Sequence, residues 1–301
     1  MSRENRKAAV IALGGNALSP AGERSTIFDQ FRHTRESLKP IVALARDGWD
    51  VCIVHGNGPQ VGDELVRNEE ARASVEPLPL GVLVAATAGW IGYMIQQSLE
   101  NALRAAGSDR RVVTVLTQVV VARDDSALLH PSKFVGHELS AERARELAVA
   151  GVATAKDGNG RVRRVVGSPM PVEVHEQSVI QALLDDGVIV VACGGGGIPV
   201  YRDGDGALEG LDCVIDKDLA AAVLAGDIGA DLFMILTDVD AVYADWGTPT
   251  QRALARLSVA EVADLDRRAA FGEGSMAPKV RAAAKYVRQT GGRAIITELS
   301  R

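Results

Sequence analysis

Short runs of consecutive apolar residues alternate with amphipathic stretches along the whole chain. The first run, AVIAL (9–13), has no polar position, as expected of a strand covered on both faces. Residues 28–48 place apolar positions at helical spacing, and predict a helix bent at Pro40 and stopped by Gly48. VCIVH (51–55) reads as the next strand and GNGPQVG (56–62) as a loop. Residues 82–107 predict one long buried helix, and 111–122 one strand. A helix over 175–187, a strand over 188–193, a glycine turn over 194–201 and a helix over 219–226 follow. Then come a strand over 232–237 and a helix over 258–271, whose Ser258 and Glu261 form a capping box. A helix from Pro278 and a strand over 294–297 close the order. Strands alternating with helices, and apolar throughout, predict an α/β fold: a largely parallel sheet with helices on both faces.

One region breaks the rhythm. From about Arg123 to Pro171 the chain is polar and irregular, with hairpin turn signals at Asp157-Gly158 and Asn159-Gly160. It reads as an inserted arm projecting from the sheet, with Arg161, Arg163 and Arg164 on its solvated face.

Composition narrows the function classes. The 301 residues are 47% apolar and 24% charged, ordinary values for a globular protein. A net charge of −6 argues against a nucleic-acid partner, which needs a basic face. No apolar run approaches the roughly 18–20 residues of a membrane span. The basic start runs directly into a glycine turn without a small-residue cleavage site, so a cytoplasmic location is expected. Cys52, Cys193 and Cys213 are widely spaced beside apolar runs, and read as reduced core thiols rather than a zinc set.

The candidate chemistry lies in the turns. GGN after the first strand, HGNGPQ after the second, GGGGIP after VIVVAC and GEGSMAPK before a helix are all glycine-rich. In open α/β sheets ligands bind beyond the carboxyl ends of the strands, where glycines let backbone N–H groups approach an anion. Taken singly, each turn is also a simple tight connection. ALGGNAL does not fit a dinucleotide fingerprint, which disfavours hydride transfer, and no lysine follows it as in a P-loop. Lysines occur instead at two predicted helix starts, Lys217 between Asp216 and Asp218, and Lys279 after Pro278. Lysine there opposes the helix dipole, which points to a compensating anionic ligand. The two aspartates read equally as helix caps or as site residues, with at most one facing the way Lys217 faces. His55 reads as a structural turn histidine rather than an acid–base group.

The segments ALGGNAL, VHGNGPQVG, IGYMIQQSL, RRVVGSPMP, GVIVVACGGGGIPV, VIDKDLA, LTDVDAVY and GSMAPKV, in this order, resemble the carbamate kinases of the amino acid kinase family. Ala12, where other members of that family carry a lysine, agrees with this branch. The resemblance implies a three-layer αβα sandwich, a homodimer, and reversible phosphoryl transfer from MgATP to carbamate. It implies one domain over 1–301, with an acceptor-binding part over about 1–200, a nucleotide-binding part over about 201–301 and the inserted arm over 123–171. It further implies that Lys217 and Lys279 contact the transferring phosphoryl group, oriented by Asp216 or Asp218, and that Lys133 in HPSKFVG joins them from the arm. By the same resemblance Gly14, Gly15, Asn16, Gly56, Asn57 and Gly58 surround the carbamate and phosphoryl positions. Thr237, Asp238, Tyr243, Gly274 and Met276 lie near ATP or ADP. Two departures touch the acceptor side: Phe134 replaces the arm's usual proline, and Ala88 stands where the family usually has glutamine or glutamate.

The chemistry suits the residues. Carbamate is already an anion, so its attack on phosphorus needs positioning and charge neutralisation more than a general base. An acetylglutamate- or uridylate-type kinase and a catalytically silent nucleotide-binding regulator remain as alternatives. The regulator would typically have lost one phosphate-site lysine, and all three are present.

Overall fold

The uninterrupted apolar runs become inner strands of one parallel sheet. A computed structural model describes residues 6–15, 18, 26–158, 160–271 and 276–298. In chain order the elements are β1 (Ala8–Leu13), α1 (Ile27–Ser37), α2 (Lys39–Arg46), β2 (Asp50–His55), α3 (Gly58–Ala71), α4 (Leu80–Ala105), β3 (Val112–Thr114) and β4 (Gln118–Val121). Next are β5 (Lys133–Val135), α5 (Ala141–Val149), β6 (Thr154–Lys156), β7 (Val162–Val166), β8 (Pro171–Val174) and α6 (Gln177–Asp185). β9 (Ile189–Ala192), β10 (Ile198–Arg202), β11 (Leu208–Gly210), α7 (Lys217–Asp227), β12 (Leu232–Thr237) and β13 (Val242–Ala244) follow. β14 (Arg252–Leu254), α8 (Val259–Arg267), α9 (Met276–Thr290) and β15 (Arg293–Glu298) come last.

Among the described residues the central sheet has six strands in the order β15-β12-β1-β2-β9-β3, each neighbouring pair parallel. Alternate side chains go to opposite cores, as a period of two requires. Val10, Ala12, Cys52, Val54 and Phe233 pack toward α6, α7 and α9. Ala9, Ile11, Leu13, Val51 and Ile53 pack toward α2 and α4. This is the doubly covered α/β sheet expected from the runs. Its strand order reverses beside β1: β2 lies on one side and β12 on the other. Such a reversal opens a crevice at the carboxyl ends of the strands.

Several local expectations change. The helix over 28–48 is two helices meeting at Leu38, and Pro40 sits in the first turn of the second, where its missing N–H costs nothing. The loop over 56–62 is mostly the start of α3, with Pro59 again in the opening turn. The strand over 111–122 splits, because the Thr117 hydroxyl bonds back to the Val115 carbonyl at 2.8 Å and turns the chain out of the first sheet. β4 then joins a second sheet, β11-β10-β4-β8, whose β10–β11 hairpin follows the glycine turn directly. The last helix starts at Met276, before Pro278.

Within 123–171, β5, β7 and β6 form an antiparallel sheet flanked by α5. The hairpin closes with Asp157 N–H donating to the Arg161 carbonyl at 2.9 Å; Asn159 lies outside the described residues. The three arginines are not a solvated face. Arg161 pairs with Asp157, Arg163 lies 5.5 Å from the Phe134 ring centroid and donates to the Gly136 carbonyl, and Arg164 pairs with Glu69 of α3. They fasten the arm to itself and to the body. All three cysteines are buried and free. Among the described residues no helix is long and apolar enough to cross a membrane.

Candidate active site

The strand order places the site. Gly14 follows β1, and its N–H donates to the Leu236 carbonyl of β12 at 3.1 Å. Gly56 follows β2 and donates to the Leu13 carbonyl at 3.1 Å. The two glycine turns therefore lie side by side at the reversal point. A Cβ on Gly56 would sit 3.2 Å from Lys217 Cδ and 3.3 Å from the Gly15 nitrogen. Glycine at 56 is what allows the lysine stem to cross the turn.

Lys217 opens α7, and Asp216 is its N-cap, accepting from the N–H groups of Asp218 at 2.9 Å and Leu219 at 3.3 Å. Only one Asp216 oxygen is used for this. The other takes the ammonium of Lys133, the first residue of β5 in the arm. Asp218 meets Lys217 through one oxygen and Lys279 of α9 through the other, the latter at 3.3 Å. Lys133–Asp216 and Lys217–Asp218–Lys279 thus form two adjoining ion-paired groups drawn from three distant segments, joined into one charge chain by the pull of Lys217 and Lys279 on Asp216 through space. Of the two aspartates Lys217 pairs with Asp218, in line with the expectation that at most one shares its direction, and Asp216 takes Lys133 instead. Asp216 is a cap with extended backbone (ψ 122°), so the helical spacing rule does not govern it. The same carboxylate caps α7 and takes the Lys133 ammonium.

Electrostatics tighten the cluster. Burial by itself would raise the Asp216 carboxyl, but Lys133, Lys217 and Lys279 hold it well below the usual aspartate range. Burial pulls the Lys217 ammonium down, opposed by Asp218 and assisted by Lys279. The lysines at the helix starts are therefore already compensated by aspartates, before any anion arrives.

Behind the glycine turns lies a buried polar layer of His55, Asn57 and Thr87. His55 is fully buried, and its Nδ1 is 3.0 Å from the Gly56 carbonyl, which fixes the proton on that nitrogen. Burial pulls its imidazole down to about 4, the Gly56 carbonyl opposing and Lys217 adding to the shift. Among the described residues its Nε2 has no hydrogen-bond partner, and it faces Gly194 and Ala88: a Cβ on Gly194 would lie 2.7 Å from Nε2 and 2.8 Å from Ala88 Cβ. An imidazole neutral near pH 7 agrees with a structural role. Asn57 is the N-cap residue of α3 but makes no side-chain capping bond; its amide donates to Thr87 of α4 at 2.9 Å. Thr87 was not singled out by sequence, although a lone hydroxyl in the apolar stretch VAATAGW was a signal. Gly58 begins α3 and accepts from the Gly136 N–H of the arm at 3.1 Å.

Among the described residues, the nucleotide candidates bond and pack with their own neighbours. Thr237 ends β12 beside Gly14's acceptor, and its hydroxyl donates to Asp238 at 3.0 Å. Tyr243 donates to Asp240 at 2.9 Å and meets Trp246 edge-on at 4.9 Å. Met276 packs with Val242, Ala244 and Phe271 in a separate small core, one helical turn before Lys279. Asn16 and Gly274 lie outside the described residues. No group of three or more His, Cys, Asp or Glu side chains suited to a metal occurs among the described residues.

Comparison with known proteins gives the family and the fold. The profile of the amino acid kinase family matches residues 7–298. A carbamate kinase of Escherichia coli is 46% identical over 98% of this chain and 95% of its own length. One from Pyrococcus furiosus is 42% identical, with the same coverage. The Giardia lamblia carbamate kinase bound to citric acid superposes with a TM-score of 0.93 at 37% identity, covering 98% of this chain and 94% of that one. The same enzyme bound to AMP-PNP gives 0.89, again with 98% and 94% covered. The chain belongs to the amino acid kinase family and, within it, groups with the carbamate kinases.

Proposed function

We infer that this protein is a carbamate kinase, passing phosphate reversibly between ATP and carbamate to give ADP and carbamoyl phosphate. The observation that carries the inference is the convergence of Lys133, Lys217 and Lys279 on two buried aspartates beside paired glycine turns. A carbamate oxygen attacks the terminal phosphorus and ADP leaves, so negative charge must be brought together and neutralised. The lysines supply that charge and the turns supply N–H donors at Gly15 and Gly58, the Gly14 and Gly56 N–H groups donating instead to the Leu236 and Leu13 carbonyls. Asp216 and Asp218 hold the lysines extended toward the phosphate position. The neutral, enclosed His55 offers no proton relay, and an anionic acceptor needs none.

In this assignment the acceptor lies at the β1 and β2 turns and the nucleotide over Thr237, Asp238, Tyr243 and Met276, with the arm closing Lys133 onto the phosphate. Both cluster aspartates are engaged by lysines, so they are a poor cage for Mg²⁺. The metal would arrive on the nucleotide, held by its phosphates and water, and would further neutralise the phosphate charge. A homodimer in the cytoplasm accompanies this assignment, and sedimentation would check the dimer. The deciding assay supplies ADP, Mg²⁺ and carbamoyl phosphate and follows ATP. No ATP, with turnover of another acyl phosphate or a nucleotide instead, moves the function to a different acceptor. Lys133→Ala should lower kcat strongly while ADP binding, measured calorimetrically, changes little.

A further inference from the structure

The arm reaches the site through one unusually close seat. Gly62, one turn into α3, presses against Gly136, which follows β5. A Cβ on Gly62 would overlap the Gly136 backbone at Cα and N, and one on Gly136 would lie 3.2 Å from Gly62 Cα. Gly136 has φ +70°, and its N–H donates to the Gly58 carbonyl at 3.1 Å. On its other side the Gly136 carbonyl accepts from Arg163 at 2.6 and 3.1 Å. Val135, between the seat and the lysine strand, is buried against Val61 of α3. Three residues before Gly136 stands Lys133, on Asp216.

The geometry is that of a stop. The first turn of α3 grows from the Gly56–Gly58 turn, so the surface on which the arm rests is continuous with the candidate phosphate site. Backbone meets backbone there, and backbone cannot yield as a side-chain tip can. We propose that Gly62 is a positioning residue: its bare Cα sets how deeply the arm docks, and thereby whether the Lys133 ammonium reaches the reacting phosphate. The proposal rests on the carbamate kinase assignment, but concerns a residue that touches no substrate. An added methyl would hold the arm off α3, and misplacement by about 1 Å is enough to cost roughly a hundredfold in a catalytic contact.

The test compares Gly62→Ala, Lys133→Ala and the double variant, each assayed for ATP formation from ADP and carbamoyl phosphate. Gly62→Ala should lower kcat by about tenfold or more, with KM for ADP within about twofold of the parent. In the Lys133→Ala background it should cause no further loss, since residues acting through one contact are not additive. A simple packing defect would behave otherwise. The same proportional loss in both backgrounds, an unchanged kcat, or a raised KM for ADP at full kcat would each overturn the proposal. Lys133→Ala at full activity would remove the role of Lys133 itself, and this proposal with it. Impaired Lys133→Ala beside normal Gly62→Ala would discard only the seat. Should Gly62→Ala fail to fold, Gly136→Ala presses on the same seat from the arm and is read by the same comparisons.

Discussion

Lys279 is the residue on which two roles can be separated. It is buried, not an exposed helix-start lysine, and it shares Asp218 with Lys217. Lys279→Met keeps the apolar stem while leaving Asp218 one ammonium partner. If the charge acts on the transferring phosphoryl group, kcat should fall by roughly 10²–10³. A raised KM for ATP at near-normal kcat would instead restrict Lys279 to nucleotide binding. His55 carries a different consequence, for stability. Its folded pKa of about 4 lies below the unfolded value near 6.5, so below pH ~6.5 the unfolded chain takes up a proton that the folded chain refuses. Stability should be unaffected by this group above that pH and decline toward pH 4, by about 3 kcal/mol in all. Urea midpoints against pH for the parent and for His55→Gln, which cannot titrate, test it. The gap between the curves should be constant above pH ~6.5 and shift against the parent below it. A gap independent of pH would mean that the imidazole protonates freely in the folded state.

Among the elements, those buried on both faces were the legible ones. β1, β2, β9 and β12 have no competing pattern, because nearly every position is apolar and the ends carry glycine or a charge, whereas α4 was legible by its length and is only partly buried, with Val82 and Tyr93 exposed. α3 was hidden because its first residues are Gly58 and Pro59, which read as a turn unless the helix that follows is weighed with them. The β10–β11 hairpin was masked by the glycines before it, and the break at Thr117 depends on a single hydroxyl bonding backward. The lysines themselves could be named from motifs, but their sharing of Asp216 and Asp218 could not. It requires α7, α9 and the arm to meet, and no local pattern encodes that. The arm's attachment was likewise misread, since arginines in a polar hairpin give no sign of their partners. Glu69 of α3 takes both Arg143 and Arg164 of the arm. Glu69→Ala leaves two half-buried guanidiniums without that acceptor, a loss on the order of 1–3 kcal/mol. Amide exchange over 133–166 should accelerate by roughly tenfold or more, with the body of the sheet unaffected. Unchanged protection in the arm would show that its apolar contacts with α3 suffice.

For the whole molecule, the proposed assignment lets one sheet carry both substrates, because the reversal beside β1 puts the β2 turn on one flank and the end of β12 on the other. The charge chain across that crevice has a consequence for encounter rather than for chemistry. Three ammonium groups and two carboxylates sum to about one positive charge, on a chain whose net charge is −6. At physiological ionic strength the Debye length is ~8 Å, so an approaching polyphosphate senses little attraction until it is nearly in place. Capture is therefore by fit at short range and not by long-range steering. The second-order rate for ADP should change little with added salt, whereas three unpaired lysines would make it fall steeply. Discrimination among anions would then be exercised only at contact, where the lysines exchange their aspartates for a phosphate of the right shape.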